Sequence, residues 1–480
     1  MAETKQEAAS LHIVVFPWLA FGHMIPFLEL SKQLARRGHA VTFVSTPRNA
    51  ARLAAVPPEL SPCIRVVTLD LPEVDGLPDG AESTTDVPPE KVQLLKRAFD
   101  GLAAPFASLV AEACSAAAGE LGEDTVFSRK PDWIIHDFAQ NWVWPIAEEH
   151  NIACAVLLIF TAASLVFVGP RHENEAHPRT TAEDFMAPPP WIPFPSTHAF
   201  RRHEAEAIAA AFRPNASGVS DVDRFWEMHR PCCRLIIHRS CPEVEPRLFP
   251  LGTELFGKPV VPAGLLLPDA AAAASSDQSF SDAMRWLDAQ PGRSVIYVAL
   301  GSEAPVTADH VRELALGLEL AGVRFLWALR RPVGHAGALL PEGFEGRVAG
   351  RGVVCTGWVP QVRVLAHGAV GAFLTHCGWG STVESLLRFG HPLVMLPFVA
   401  DTGLVARAMA ARGVGVEVPR NDGDGSFRGD DVAAAVRRVM VEEDGEEMAR
   451  KAKEMQMVLG DRVKQEKYID ELVAYLYRYK

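Results

Sequence analysis

What this 480-residue sequence most plainly lacks is a surplus of basic charge: 59 Asp and Glu outnumber 47 Lys and Arg, for a net charge of −12. Phosphate backbones are gripped by clustered Lys and Arg, so this balance argues against a nucleic-acid partner. Any anionic ligand must be held largely by backbone amides and helix ends. Cysteine is sparse as well. The eight residues Cys63, Cys114, Cys154, Cys232, Cys233, Cys241, Cys355 and Cys377 contain no C-x-x-C pair. That scatter fits neither a zinc site nor a disulfide framework, and it suits a reducing, cytoplasmic setting. No H-E-x-x-H occurs, nor a D-x-D in a suitable loop, so no metal is expected. A G-x-S-x-G elbow is missing, which argues against a Ser-His-Asp hydrolase, and no tandem repeat is visible.

The early apolar run "LHIVVFPWLAF" has neither a basic start nor a small-residue cleavage site, and reads as a buried strand. One run approaches bilayer-spanning length, Ile152 to Val168. It carries Thr161 and Ser164 in its middle and reads as a buried strand leading into a buried helix, so no integral membrane segment is expected.

What is present alternates strand and helix. "HIVVFP" is a continuous apolar strand; "PFLELSKQLARRG" has Phe27, Leu30 and Leu34 at helical spacing with Pro26 near its start and Gly38 as a stop; "AVTFVSTP" is a second strand. So short a crossover implies parallel pairing. The same grammar returns after residue 290, with "SVIYVAL", a helix faced by Val311, Leu314, Ala315 and Leu318, then "VRFLWAL", "GVVC", "GAFLT", "PLVML" and "GVGVEV". The expected architecture is α/β, with two doubly wound, Rossmann-like domains. Residues 1–255 form the first and 283–460 the second, joined by a Pro-, Ala- and Ser-rich linker at 256–282. Two further irregular pieces, Ser115 to Pro131 and "MAPPPWIPFPSTHAF", are long enough to be functional or disordered.

Chemistry-bearing residues gather at strand ends. The loop "WLAFGHMIP" holds His23 at the carboxyl end of the first strand but only one glycine, Gly22, which argues against a dinucleotide fingerprint. A lone loop histidine can equally be an ordinary satisfied residue. "DWIIHDF" ends another strand in Asp137, whose carboxylate could orient that imidazole or could simply cap a helix. His136 is a weaker rival, because strand alternation turns it to the face opposite Asp137. In the second half, Gly301 and Ser302 follow a strand. His376, Gly378, Gly380 and Ser381 in "THCGWGSTVE" fall where a helix begins, with free N–H groups and room for a phosphate. Glu384, one turn on, suits a ribose diol, and Trp358 in "WVPQ" could stack on a base or be core.

Together "WVPQVRVLAHGAVGAFLTHCGWGSTVESLLRFGHPLVMLPFVADTG" resembles the signature box of the plant UDP-sugar-dependent glycosyltransferases, and the likeness extends to "FPWLAFGHMIPFLELSKQLA" and "RWLDAQPGRSVIYVALGS". Within that family the chain looks nearest to branch-forming enzymes that glycosylate a sugar already on a flavonoid or a steviol-type diterpenoid. The resemblance implies two facing domains (the GT-B type) with a cleft between them, and a C-terminal helix, 461–480, returning to the first domain. It implies inverting transfer from a UDP-sugar, UDP-glucose foremost, with no permanent cofactor, by a monomer acting on a small glycoside. His23 would be the base and Asp137 its partner; Trp358 would stack on uracil beside the Val359 backbone; Gln361 and Glu384 would take the ribose. His376, Ser381 and Ser302 would hold the diphosphate, with Gly378 and Gly380 allowing close approach, while Trp379, Asp401 and Thr402 would meet the donor sugar. Phe21, Trp142, Phe160, Phe200 and Phe398 are apolar candidates for the acceptor pocket, each with core packing as the plainer role.

The chain departs from the family box in three places. Gly380 stands where Asn is usual and Thr402 where Gln is usual, and the box from Trp358 to Thr402 is one residue longer, with the extra position within "SLLRFG". Those departures admit another donor, such as UDP-rhamnose or UDP-xylose, or a catalytically weak UDP-sugar-binding protein.

Overall fold

The computed structural model describes residues 10–115, 129–268, 278–301, 304–331, 339–357 and 359–480. Ser302 and Trp358 therefore lie outside the described residues, as do 116–128 of the piece from Ser115 to Pro131 and 269–277 of the expected linker.

Among the described residues the apolar runs pair into two all-parallel sheets. The first contains β1 (His12–Phe16), β2 (Ala40–Ser45), β3 (Ile64–Thr68), β4 (Trp133–His136), β5 (Ala153–Leu158), β6 (Cys233–His238) and β7 (Val260–Pro262), in the order β3-β2-β1-β4-β5-β6-β7. The second contains β8 (Val295–Ala299), β9 (Arg324–Ala328), β10 (Gly352–Cys355), β11 (Val370–Thr375), β12 (Leu393–Met395) and β13 (Gly415–Glu417), in the order β10-β9-β8-β11-β12-β13. Every residue of β1, β4, β5, β8 and β11 is buried, as expected for strands covered by helices on both faces. Each order reverses direction once, between β1 and β4 and between β8 and β11. At such a switch point the loops leaving the strands diverge and open a crevice at the carboxyl edge.

The run Ile152 to Val168 divides into β5 and the buried helix Ala162–Val168, and no helix among the described residues is long and apolar enough to cross a membrane. The linker expected at 256–282 is shorter in fact, because Val260–Pro262 adds an edge strand to the first sheet and helix Gln278–Asp288 begins before residue 282. The C-terminal helix, Arg462–Arg478, buries Ile469, Leu472 and Leu476 in the first lobe's core, and Trp133 Nε1 donates to the Leu476 carbonyl at 3.0 Å. At about 1.5–3 kcal/mol per buried aliphatic side chain, those three contacts are enough to hold the chain's end across to the lobe where it began.

The first helix begins earlier than its sequence suggests. It spans Phe21–Ala35, so His23 sits in its first turn rather than in a loop, and Pro26 lies inside it. The Ala20 carbonyl accepts from both His23 N (2.9 Å) and Met24 N (2.8 Å), which starts the helix before the proline. Pro26 removes one hydrogen bond, but burial of Met24, Phe27, Leu28, Leu30 and Leu34 outweighs it.

Candidate active site

The switch point of the first sheet brings together two residues 114 apart in sequence. Parallel register sets Phe16 beside His136, so the chain leaving β1 and the chain leaving β4 emerge side by side. His23 Nδ1 and Asp137 Oδ2 meet at 2.7 Å, with the carboxylate wholly buried and the imidazole side chain 13% exposed. Asp137 is held by more than its histidine: Oδ2 also accepts from Trp18 N at 3.1 Å, and Oδ1 from Phe138 N at 2.8 Å. Gln140 braces the turn, accepting from Asp137 N and donating to the Phe16 carbonyl. With Nδ1–H donated to the carboxylate, Nε2 carries the lone pair, which is the tautomer a proton acceptor requires. His136 touches this pair only through the main chain, its Nδ1 lying 2.8 Å from the Asp137 carbonyl oxygen. Its ring packs on Trp144 at 4.1 Å, and burial drives its pKa down to about 4.

At the switch point of the second sheet, Gly301 follows β8 and His376 follows β11. Gly301 has φ +71°, and a Cβ there would stand 2.4 Å from His376 Cε1; one on Gly378 would stand 2.5 Å from Nε2. Both glycines thus exist to admit the imidazole. Burial, aided by the Arg330 charge, lowers the His376 pKa to about 4, and Nδ1 is buried with no hydrogen-bond partner. This ring is neutral at physiological pH and can offer a ligand one N–H. A helix opens beside it at Trp379–Thr382 and runs straight into a π-helical turn, Val383–Leu387. The π turn includes Ser385, Leu386 and Leu387, the first three residues of "SLLRFG", and a π turn holds one more residue than an α turn. Gln361 Nε2 donates to Glu384 Oε2 at 2.8 Å and to Ser381 Oγ at 3.3 Å, and burial raises the Glu384 pKa. Val359, just ahead, is half-buried against the same core.

The two lobes meet across these crevices. Asp401 is partly exposed as a residue, but its Oδ2 is buried with no hydrogen-bond partner, and desolvation raises its pKa to about 6, although its own main chain, the His23 imidazole and the main chain of Thr161, the last two from the first lobe, oppose the shift. Ala400 and Cys377, adjoining Asp401 and His376, adopt left-handed φ of 55° and 65°. Non-glycine residues hold that conformation at a cost, so the surrounding fold imposes it. Trp379 is 3% exposed, and its indole N–H donates to the Arg239 carbonyl of the first lobe at 2.5 Å. Position 379 therefore presents its backbone, not its ring. Thr402 spends its hydroxyl on its own turn, donating to the Val399 carbonyl at 2.6 Å and accepting from Phe398 N at 3.2 Å. Arg407 of the second lobe pairs with the buried Glu204 of the first at 2.7 Å.

The five acceptor candidates do not form one group. Phe200 is buried against Phe167 and Phe185, and Phe398 against His310 and Phe427 in the second lobe's core. Trp142 packs edge-on to Phe16 and Phe99. Phe160 lies half-buried near Phe225 and His238, and Phe21, half-buried, lies beneath the Arg52 guanidinium. Phe138, next to Asp137 in sequence but not singled out from it, has its ring 5.8 Å from that of His23. Gln140 and Arg239 were also missed; nothing in their local sequence marks them.

A family model described as UDP-glucoronosyl and UDP-glucosyl transferase matches residues 254–456. The chain is 42% identical over 476 residues to UDP-glycosyltransferase 91C1 of Arabidopsis thaliana, covering 99% of this chain and 98% of that protein. It is 41% identical over 472 residues to UDP-glycosyltransferase 91D1 of Stevia rebaudiana, covering 97% and 92%. Its fold is similar to that of Arabidopsis thaliana UGT89C1 in complex with UDP-L-rhamnose, with a TM-score of 0.72, 25% identity, and coverage of 98% of this chain and 100% of that one.

Proposed function

The chain belongs to the plant family 1 UDP-glycosyltransferases, and from that premise we propose that it transfers a glucosyl group, with inversion, from UDP-glucose to a sugar hydroxyl of a terpenoid or flavonoid glycoside, forming a β-1,2 branch. His23 Nε2 takes the proton of the acceptor hydroxyl as its oxygen bonds to the anomeric carbon. The bond from that carbon to the phosphate oxygen breaks, and UDP departs with the electron pair. Asp137 holds the ring and stabilises the imidazolium.

The uracil is taken by Trp358 and the Val359 backbone and the ribose by Gln361 and Glu384, whose mutual hydrogen bond opens to admit the diol. The diphosphate is taken by His376, Ser381 and Ser302, and the sugar by Asp401, whose buried, unpartnered Oδ2 gains a hydroxyl donor. Phe21, Phe160 and Phe138 are the aromatic residues nearest in character to an acceptor wall. The protein acts as a monomer in the cytoplasm; its eight free cysteines suit a reducing compartment.

The observation that supports this reading above the rest is the His23–Asp137 contact of 2.7 Å in one lobe, with Asp401 of the other lobe near enough to feel that imidazole. Thr402, with its hydroxyl committed to its own turn, favours a second reading in which the donor is another UDP-sugar. Incubation with UDP-glucose, UDP-rhamnose and UDP-xylose against a panel of glycosylated acceptors, followed by mass spectrometry, tests both. The expected result is one added hexose from UDP-glucose, lost in His23→Ala while UDP still binds. UDP binding with no mass gain from any donor would leave only a UDP-sugar-binding protein.

A further inference from the structure

Arg239 is a buried cation without an ion-pair partner among the described residues. It follows β6 and is 2% exposed. Its Nε donates to the Leu265 carbonyl at 2.9 Å and its Nη2 lies 3.5 Å from the Leu266 carbonyl. Two carboxylates face it at longer range, Glu384 and Glu29, and each has another partner: Glu384 accepts from Gln361, and Glu29 pairs with Lys32 at 2.7 Å. Burying a guanidinium is expensive unless an anion compensates it. The remaining nitrogen, Nη1, is aimed at the helix opening of the second lobe, 3.2 Å from where a Cβ on Gly380 would stand. Just before it, the Arg239 carbonyl receives the Trp379 indole N–H, which fixes the main chain of Arg239 against that helix.

We propose that Arg239 is a diphosphate-binding residue, reaching from the first lobe through the space that the missing side chain at Gly380 leaves, and neutralising the anionic leaving group of the nucleotide donor. The inference deepens the function proposed above and rests on it. The absence of a side chain at position 380 and the presence opposite it of a buried cation in no ion pair among the described residues are one adaptation: the donor that residue 380 does not carry is supplied across the interface, with a full charge. Because UDP gains negative charge as the glycosidic bond breaks, a fixed cation there acts on turnover as well as on nucleotide binding.

Titration calorimetry with UDP and with uridine, run on the full chain and on Arg239→Met, tests this. Methionine keeps the apolar bulk and removes the charge. The expected result is a rise of about 10- to 100-fold in the Kd for UDP, the size of a lost charge-assisted hydrogen bond, with the Kd for uridine unchanged. An equal loss for both ligands, or a loss for neither, overturns the proposal. Arg239→Met/Gly380→Asn supplies a neutral donor in the vacated space and is expected to recover part of the UDP affinity, whereas Gly380→Asn alone crowds Nη1 and lowers it. A double variant no better than Arg239→Met likewise overturns it. If the unaltered chain binds no UDP, the transferase reading itself fails; if UDP binding and transfer survive Arg239→Met intact, only this proposal does.

Discussion

Replacing Asp137 with Asn tests the proposed base most directly, because the two side chains share a shape and differ in what they can accept. The carboxylate receives three hydrogen bonds, from His23 Nδ1, Trp18 N and Phe138 N. An amide cannot receive them all. If its oxygen faces His23 and Trp18, its NH2 confronts the Phe138 N–H. If its NH2 faces His23, that group donates to Nδ1 and forces the ring proton onto Nε2, where a base must be bare. Either way a hydrogen bond to a charged group is lost, worth about 1.5–3 kcal/mol, which as a barrier difference is roughly 10- to 150-fold in kcat. Initial rates under saturating donor and acceptor measure this, with UDP affinity unchanged because the side-chain hydrogen bonds of Asp137 run to Trp18, His23 and Phe138, none of them a residue proposed to hold the nucleotide. The decisive comparison is in a His23→Ala background, where Asp137→Asn should lower the residual rate no further, since a group acting through the imidazole has nothing to act on once it is gone. A second, independent fall of the same size would refute the pairing.

Asp401→Asn should stabilise the free protein at pH 7.5 and not at pH 4. Burial holds the folded pKa at about 6 against 3.8, so folding favours the neutral acid, and the penalty for ionisation is absent below the lower value and complete above the upper one, about 3 kcal/mol at most. Thermal melts at the two pH values, beside a fall in turnover, check it; equal shifts at both would remove burial as the cause. Gly301→Ala combines a left-handed φ of +71° with a 2.4 Å clash on His376, and should cost more than about 1–3 kcal/mol while weakening UDP binding in calorimetry. Thr402→Gln loses two turn hydrogen bonds and should lower Tm by the equivalent of about 1–2 kcal/mol without improving turnover of UDP-glucose. Faster glucose transfer at unchanged Tm would show that residue 402 faces the sugar.

The fold class was legible because parallel strands buried on both faces appear as uninterrupted apolar runs, and "HIVVFP", "SVIYVAL" and "GAFLT" all became central strands. His23, Asp137 and His376 could be singled out because they stand in the segments that leave β1, β4 and β11. Local signals failed where packing overrode them. Pro26 reads as a helix start, yet buried side chains carry the helix back to Phe21. Residues 256–282 read as a linker because Pro, Ala and Ser dominate their composition, yet they contain the three-residue edge strand Val260–Pro262.

The amino-acid order by itself determined the central strands β1, β4, β8 and β11 and which residues stand at their carboxyl ends, since hydrophobic period and chain punctuation are local properties. Only the tertiary structure decided that His23 and Asp137 touch, that Trp379 gives its indole to the opposite lobe, that Thr402 turns inward, and that Arg239 faces Gly380. Such pairings depend on strand order and on how two separately wound sheets dock, and both arise from contacts between residues far apart along the chain.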